Sequence, residues 1–217
     1  MEEYPMRVEA AISDRPISGI ILAGGRSFRL GSDKALLELG GHTLVERVIS
    51  VLHPITDEVI VVTNTPDRFA HLAADVRFVK DVLPRPSALV GIYSGLLAAR
   101  YEYSLVVACD MPFLNPNLLR YLVNQATGCD VVIPRHSRGL EALHACYSRR
   151  CIGPMENLMQ KEDATIAHFF PEVKVCYVDE PILQELDPEG LSFYNINTPA
   201  DWELAQGLAR QRMAPDQ

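Results

Sequence analysis

Glycines and positively charged side chains follow a strongly apolar run near the start of the chain. Residues 17–23 read Ile-Ser-Gly-Ile-Ile-Leu-Ala, and residues 24–34 read Gly-Gly-Arg-Ser-Phe-Arg-Leu-Gly-Ser-Asp-Lys. The apolar run predicts a buried strand, and the glycines let the following backbone approach a ligand with its N–H groups as donors. Arg29 offers a planar fork for two phosphate oxygens, and Lys34 offers a mobile positive charge. The stretch therefore predicts a phosphate-binding loop, with an ordinary solvated turn as the alternative.

Two widespread phosphate-loop patterns do not describe this stretch. The pattern Gly-x-x-x-x-Gly-Lys-Ser/Thr needs a lysine directly after its second glycine, but Gly31 is followed by Ser32 and Asp33. The dinucleotide-binding pattern Gly-x-Gly-x-x-Gly fails because position 26 is an arginine. If the stretch binds phosphate, it belongs to a different class of loop.

Three polar residues, Asn64, Asp81 and Asp110, lie where later predicted strands end. In open parallel sheets, ligands bind beyond the carboxyl ends of the strands, so Asn64 and Asp81 are predicted to face a nucleotide. Asn64 could equally form a plain turn.

Asp110 is a candidate ligand for Mg²⁺, which binds one or two carboxylates together with phosphate oxygens and water. The alternative is an aspartate that only caps the next turn. Asn115 and Pro116 already supply a cap and a first-turn proline for the helix predicted over residues 117–126. Since Asp110 is not needed as a cap, the sequence favours the metal site.

The stretch Asn195-Ile-Asn-Thr-Pro-Ala-Asp201 predicts the start of a last helix. Thr198 serves as the cap and Pro199 as the first helical residue, while Asp201 complements the helix dipole. Asn195 and Asn197 are not explained by helix initiation. Their amides suit a polar heterocycle such as a pterin, and a tight turn is the alternative.

Potentially reactive side chains in apolar runs are predicted to be structural. His144 is more often a core histidine in such a run than a catalyst, so we assign it no chemistry. The five cysteines include no Cys-x-x-Cys pair, which favours buried free thiols over disulfides or a zinc site. Free thiols are typical of a reducing compartment, and we expect a cytoplasmic protein.

Composition limits the classes of partner. The 217-residue chain carries a formal net charge of −8, which argues against a general nucleic-acid-binding protein because phosphate backbones select basic surfaces. The chain lacks an apolar stretch long enough to span a membrane, so membrane partners are not expected. Any polyanion that it binds should be small and held locally.

Apolar runs and helical patterns alternate along the chain. This alternation predicts an α/β fold with a three-layer, doubly wound and mainly parallel sheet. We expect one domain over residues 17–212, a loose arm over residues 1–16 and a short tail over residues 213–217. Residues 181–190 are acidic and are predicted to form a connector.

Three strings together resemble one known family. Residues 22–36 match Leu-Ala-Gly-Gly-x-Ser-x-Arg-Leu/Met-Gly-x-Asp-Lys-Ala-Leu, and similar matches are Cys-Asp-Met-Pro at 109–112 and Asn-Ile-Asn-Thr-Pro at 195–199. The chain resembles the molybdenum cofactor guanylyltransferases of the nucleotidyltransferase superfamily over about residues 17–205. The resemblance implies transfer of GMP from GTP to the phosphate of molybdenum-molybdopterin, with Mg²⁺ as the cofactor. Molybdoenzymes or cofactor carriers are implied as transient partners.

The resemblance also implies site residues. Catalytic roles fall on Lys34, Arg29 and Asp110, and the metal is assigned to Asp110. Pterin binding falls on Asn195 and Asn197. The residues implied for nucleotide binding are Leu22, Ala23, Gly24, Gly25, Lys34, Asn64, Asp81 and Asp110. Thr63 takes the place of Asn64 if the alignment with the family shifts by one residue.

Two segments depart from the family pattern. Relatives usually carry Gly-Pro-Leu-Ala-Gly where this chain has Ser87-Ala-Leu-Val-Gly91, and Pro-Leu-His where it has Ala142-Leu-His144. A cytidylyltransferase or sugar nucleotidyltransferase is the first alternative function, although such enzymes more often carry Ala-Ala-Gly at residues 23–25. A nucleotide-binding or cofactor-carrier module without catalysis is the second.

Overall fold

Strands and helices alternate along the chain in the computed structural model, which describes residues 15–24, 34–72, 76–161 and 164–213. The strands are β1 (Ile17–Leu22), β2 (Glu38–Leu39), β3 (His42–Thr43), β4 (Glu58–Val62), β5 (Arg77–Val79), β6 (Tyr103–Ala108), β7 (Val131–His136), β8 (Gly139–Leu140), β9 (His144–Ser148) and β10 (Val175–Asp179). The helices are α1 (Leu44–Leu52), α2 (Ala88–Ala98), α3 (Pro116–Asn124), α4 (Ile152–Met159), α5 (Ile166–Phe169), α6 (Glu180–Leu186) and α7 (Pro199–Met213). Short 3-10 turns include Lys34–Leu36 and Pro66–Leu72.

The central sheet has the strand order β10-β7-β9-β6-β1-β4-β5, with β8 paired to β7. The strands β6, β1, β4 and β5 run parallel to one another, and β10 runs parallel to β7. Only β9, between β6 and β7, and the short β8 are antiparallel to their neighbours within the described sheet. The prediction of a mainly parallel α/β sheet is confirmed, and β9 makes the sheet mixed.

Helices cover both faces of this sheet because side chains alternate along each strand. Ile21 of β1 belongs to the apolar cluster under α1, α3 and α6. Ile20, the preceding residue, belongs to the cluster under α2 and α4. A third, smaller cluster packs α7 against Leu39 and Leu44. The result is the predicted three-layer arrangement.

The helix starts follow their capping signals. In the α1 capping box, the Thr43 hydroxyl accepts from Glu46 N, and the Glu46 carboxylate accepts from Thr43 N. Asn115 caps α3 with Pro116 in its first turn. Ser87, in the first segment that departs from the family pattern, caps α2 by accepting from Val90 N at 3.2 Å. The departure at Ser87 therefore leaves the helix start intact.

The prediction of an acidic connector over residues 181–190 is wrong, since the first part of that segment forms α6. Leu183 is buried, and Ile182 and Leu186 pack against the same core. These three positions follow the helical period and lie on one face. Gln184 and Glu185, which lie between them in the sequence, are exposed.

The prediction of free thiols is wrong for two of the five cysteines. Cys129 and Cys176 form a disulfide with their Cα atoms 5.9 Å apart. Cys129 precedes β7 and Cys176 lies in β10, so the parallel pairing of these strands brings residues 47 positions apart within bonding range. The cytoplasmic location remains a prediction without the support of five free thiols.

The other three cysteines are buried, as predicted, and Cys146 and Cys151 are free thiols. Burial raises the pKa of each of these two thiols to about 12. Both thiols are therefore protonated at neutral pH.

Gly95 of α2 packs closely against β1. A Cβ at this position would lie 2.5 Å from Cγ2 of Ile20 in β1. We expect Gly95→Ala to lower the free energy of unfolding by about 1–3 kcal/mol because the packed core must shift. Urea unfolding measures the change.

The matched control for that substitution is Gly207→Ala in α7, where the added Cβ meets no atom within 4 Å. There we expect a gain of about 0.5–1 kcal/mol from helix propensity. Equal free energies of unfolding for the two variants would contradict the close packing of α2 on β1.

No described helix is long and apolar enough to cross a membrane.

Candidate active site

The carboxyl ends of three neighbouring strands form the edge from which the predicted phosphate loop emerges. Leu22 at the end of β1 is in register with the last residues of β4 and β6. Cys109 N donates to the Leu22 carbonyl at 3.1 Å, and Ala23 N donates to the Val62 carbonyl at 2.9 Å. The N–H of Ala23 is therefore used within the sheet, so a ligand would be met by backbone donors from Gly24 onward.

Three loop residues with predicted roles, Gly25, Arg29 and Gly31, lie outside the described residues. Their roles stay predictions. The described chain resumes at Lys34, the first residue of a 3-10 turn.

Lys34 joins two segments that are far apart in sequence. Its Nζ lies 3.2 Å from Oδ2 of Asp110 and 2.8 Å from Oδ1 of Asn197. The side chains of Lys34 and Asp110 are 15% and 21% exposed, so the ion pair is partly shielded but open to a ligand. The structure thus brings a predicted phosphate-binding residue, the predicted metal ligand and a predicted pterin-binding residue into one cluster.

Asp110 is held by backbone on both sides. Asp110 follows the fully buried strand β6, and the next residue, Met111, is buried as well. The carbonyl of Asp110 accepts from Ile196 N at 3.0 Å, which ties the segment before α7 to this strand end. Since Asn115 caps α3, as predicted, Asp110 is not required as the cap of that helix.

The donor set at Asp110 suits a hard cation held mainly by its substrate. Among the described residues, no group of three or more His, Cys, Asp or Glu side chains could hold a metal ion. Mg²⁺ needs only one or two protein carboxylates when phosphate oxygens and water complete its coordination. A single partly exposed carboxylate beside a lysine therefore fits Mg²⁺ bound together with a phosphate.

Asp201 fixes the start of α7 next to this cluster. Its Oδ2 accepts from the backbone N of Asn197 at 2.9 Å and of Thr198 at 2.7 Å, and the Thr198 hydroxyl accepts from Asp201 N at 3.2 Å. These bonds form the capping arrangement that the sequence predicted for Thr198. The backbone donors chiefly lower the pKa of the Asp201 carboxyl, and the charge of Lys34 lowers it further.

Asn195 behaves differently from Asn197. Its Nδ2 donates to the Phe193 carbonyl two residues earlier at 3.2 Å. This local bond matches the turn-forming alternative. It uses the amide nitrogen of Asn195 and does not use the amide oxygen. Pterin binding by Asn195 stays a prediction.

Asn64 and Asp81 pair with each other at the ends of β4 and β5. Asn64 Nδ2 donates to Asp81 Oδ2 at 2.8 Å, and Asp81 N donates to Asn64 Oδ1 at 3.1 Å. Asn64 is exposed, whereas Thr63 is 1% exposed. The structure therefore favours Asn64 over Thr63 as the residue that could face a nucleotide.

His144 is a core residue, as predicted. It is fully buried, and its ring packs edge-on against Phe193 with centroids 4.9 Å apart. Burial lowers its pKa to about 3, so the imidazole is neutral at physiological pH. Nε2 lies 3.4 Å from the Ser192 hydroxyl, and Nδ1 is buried without a hydrogen-bond partner among the described residues.

The contact between Lys34 and Asn197 was not predicted from the sequence. The two residues are 163 positions apart, and the asparagine was assigned to the pterin alone. The capping pattern Thr198-x-x-Asp201 did predict a fixed helix start. That pattern carries no signal that this helix start lies beside Lys34.

The sequence profile of the MobA-like NTP transferase domain matches residues 19–178, which include most of β1 and Lys34, Asn64, Asp81 and Asp110. This chain belongs to the MobA-like NTP transferase family. The family assignment made from the three sequence strings is confirmed. The segment with Asn197 and Asp201 lies beyond the matched range.

Relatives within the MobA-like NTP transferase family cover nearly the whole chain. A probable molybdenum cofactor guanylyltransferase of Pelotomaculum thermopropionicum is 40% identical over 192 residues, 88% of this chain and 93% of that protein. A molybdenum cofactor guanylyltransferase of Desulfosudis oleivorans is 35% identical over 89% of this chain and 96% of its own length.

Among solved structures, molybdopterin-guanine dinucleotide biosynthesis protein A from Archaeoglobus fulgidus superposes with a TM-score of 0.78 at 27% identity. The superposition covers 89% of this chain and 99% of that protein.

Proposed function

We propose that this chain transfers GMP from GTP to the terminal phosphate of molybdenum-molybdopterin, forming the guanine dinucleotide cofactor and releasing pyrophosphate. The observation that carries the nucleotidyl transfer is the Lys34–Asp110 pair at the carboxyl ends of β1 and β6. The choice of guanine and of the pterin acceptor is supported by the names of relatives that are 35–40% identical over most of the chain.

The reaction needs charge neutralisation more than proton transfer. An oxygen of the acceptor's phosphate attacks the α-phosphorus of GTP, and the bond from that phosphorus to the β-bridging oxygen breaks. Because the attacking phosphate is already an anion, no general base is required. The protein must instead hold two polyanions close together against their repulsion.

Lys34 is the described residue best placed to offset that repulsion. Its ammonium lies next to Asp110, which follows the carboxyl end of β6. In this role it stabilises negative charge at the α-phosphate and on the departing pyrophosphate. Arg29 is proposed to contribute a second positive charge.

Asp110 is proposed to bind Mg²⁺ together with the phosphates of GTP. Mg²⁺ held there would supply positive charge to offset part of the charge of the phosphates. Asp110 holds its carboxylate at a fixed point because its backbone is anchored to both β6 and Ile196. Lys34 remains beside that carboxylate, so the positive charges converge on one region.

The remaining assignments follow the sheet edge. The backbone from Leu22 to Gly25 is proposed to seat the nucleotide, with Gly24 the first residue whose donors lie outside the sheet. The reciprocal pair Asn64 and Asp81 is proposed to contact the nucleoside. Asn195 and Asn197 are proposed to face the pterin, and molybdoenzymes or cofactor carriers are proposed to receive the product.

A nucleotide screen tests this proposal. The protein is mixed with Mg²⁺ and GTP, CTP, ATP or UTP, and thermal stabilisation and pyrophosphate release are recorded with and without purified molybdenum-molybdopterin. Among the four triphosphates, we expect only GTP to raise the melting temperature strongly. A ligand at 100 times its Kd adds about 2.7 kcal/mol to the free energy of unfolding. Pyrophosphate should appear only with the acceptor.

Each other outcome favours a different function. Preference for CTP would indicate a cytidylyltransferase. Stabilisation by GTP without pyrophosphate in the presence of the acceptor would indicate a binding module without catalysis.

A further inference from the structure

Lys34 has two fixed hydrogen-bond acceptors in this structure. Its ammonium carries three N–H donors, and Asp110 Oδ2 at 3.2 Å and Asn197 Oδ1 at 2.8 Å each accept from it. A lysine side chain otherwise rotates freely about a four-carbon stem and loses much entropy when it is ordered. Two rigid acceptors therefore determine the direction of the third N–H group. A phosphate oxygen can accept a hydrogen bond from that third N–H group.

Asn197 can serve as a rigid acceptor only if its own backbone is fixed. On its amino side, Ile196 N donates to the carbonyl of Asp110 at 3.0 Å. On its carboxyl side, the Asp201 carboxylate accepts from the N–H groups of both Asn197 and Thr198. Tyr194 adds a bond from its hydroxyl to the Asp201 carbonyl at 2.7 Å. Asp201 is thus the side chain that holds the Asn197 backbone at the start of α7.

We propose that Asp201 is a positioning residue for the phosphate site: it fixes Asn197, and Asn197 orients the ammonium of Lys34 toward the triphosphate. The same hydrogen bonds that cap α7 then also set the position of the Lys34 ammonium at the phosphates. This inference rests on the proposed function for the choice of GTP as the nucleotide. Its test does not depend on the transfer reaction, because triphosphate binding is measured without the pterin acceptor.

A double-mutant cycle separates this role from a purely structural cap. The dissociation constant of Mg²⁺-GTP is measured by calorimetry for the parent protein, Asp201→Ala, Lys34→Ala and the double variant. If Asp201 acts through Lys34, removing it matters only while the lysine is present. We expect Asp201→Ala to weaken GTP binding about three- to tenfold in the parent and less than about 1.5-fold in the Lys34→Ala background.

Two further variants control for the loss of a helix cap. Glu46→Ala removes the corresponding carboxylate from the capping box of α1, whose described hydrogen bonds are made with Thr43. It should lower the melting temperature but leave the GTP dissociation constant within about twofold. Asp201→Glu should restore GTP affinity, because glutamate is the usual partner in such a box and performs that role at Glu46.

If Asp201→Ala does not fold, Asn197→Ala provides the same test, because it keeps the backbone N–H that Asp201 accepts from. Its effect on GTP affinity should likewise vanish in the Lys34→Ala background. Equal losses of affinity with and without Lys34, or unchanged affinity in both Asp201→Ala and Asn197→Ala, would overturn the inference.

The inference and the proposed function fail in different ways. A parent protein that binds CTP and not GTP contradicts the proposed function, while the same cycle run with CTP still tests the role of Asp201. A parent protein that binds none of the four triphosphates contradicts both.

Discussion

Asp110→Asn is expected to lower the rate of pyrophosphate release about a hundred- to a thousandfold at saturating GTP and acceptor, with the fold retained. The substitution keeps the size of the side chain and removes its charge, so it deprives the proposed Mg²⁺ site of its carboxylate. It also leaves Lys34 without its ion-pair partner. Steady-state assays over a range of Mg²⁺ concentrations, with a thermal melt, measure the effect.

The matched control for Asp110→Asn is Asp57→Asn. Asp57 directly precedes β4 and accepts from Ile17 N at 2.8 Å, so it lies at the opposite edge of the sheet. Asp57→Asn changes the net charge by the same amount and should leave the rate within about twofold. Some stability should be lost, because a neutral amide oxygen accepts from Ile17 N more weakly than a carboxylate does. Normal turnover by Asp110→Asn, or equal slowing in both variants, would refute the metal assignment.

Lys34→Ala is expected to weaken GTP binding about ten- to a hundredfold, which corresponds to the roughly 1.5–3 kcal/mol of a hydrogen bond to a charged group. Guanosine, which has no phosphate, should bind the variant and the parent within about twofold. The reason is that guanosine lacks the phosphates on which the Lys34 ammonium is proposed to act. Calorimetry with both ligands gives the two ratios.

A lysine of equal charge outside the site controls for net charge. Lys174 is exposed and directly precedes β10 at the amino end of that strand, so Lys174→Ala should change neither affinity. If Lys34→Ala weakened GTP and guanosine equally, the lysine would be structural. Its hydrogen bonds to Asp110 and Asn197 would then serve only to hold the closing segment in place.

Strand-end residues could be predicted from the sequence because their logic is local. Asp110 follows an unbroken apolar run, and Asn115 already caps the next helix, so a carboxylate without a structural task could be recognised in advance. The same reasoning located Asn64 and Asp81. Their direct pairing was not predictable, because it depends on β4 and β5 being neighbours in the sheet.

The long-range contacts could not be predicted from the sequence, and the physical reason is the same for each. Whether Asn197 meets Lys34 depends on how α7 packs, and whether Cys129 meets Cys176 depends on the pairing of β7 with β10. Neither contact changes the local periodicity of hydrophobic residues, which is the pattern that a sequence prediction uses. The direction of β9 was hidden in the same way, since a buried run has the same composition in either orientation.

The fate of the α-phosphorus of GTP tests the central claim most directly. GTP labelled at the α-phosphate is incubated with the protein, Mg²⁺ and purified molybdenum-molybdopterin, and the products are separated and identified by mass. We predict that the label enters the pterin dinucleotide in a one-to-one ratio with released pyrophosphate. Label that stays in GTP, or that appears as free GMP with no dinucleotide, would contradict the account.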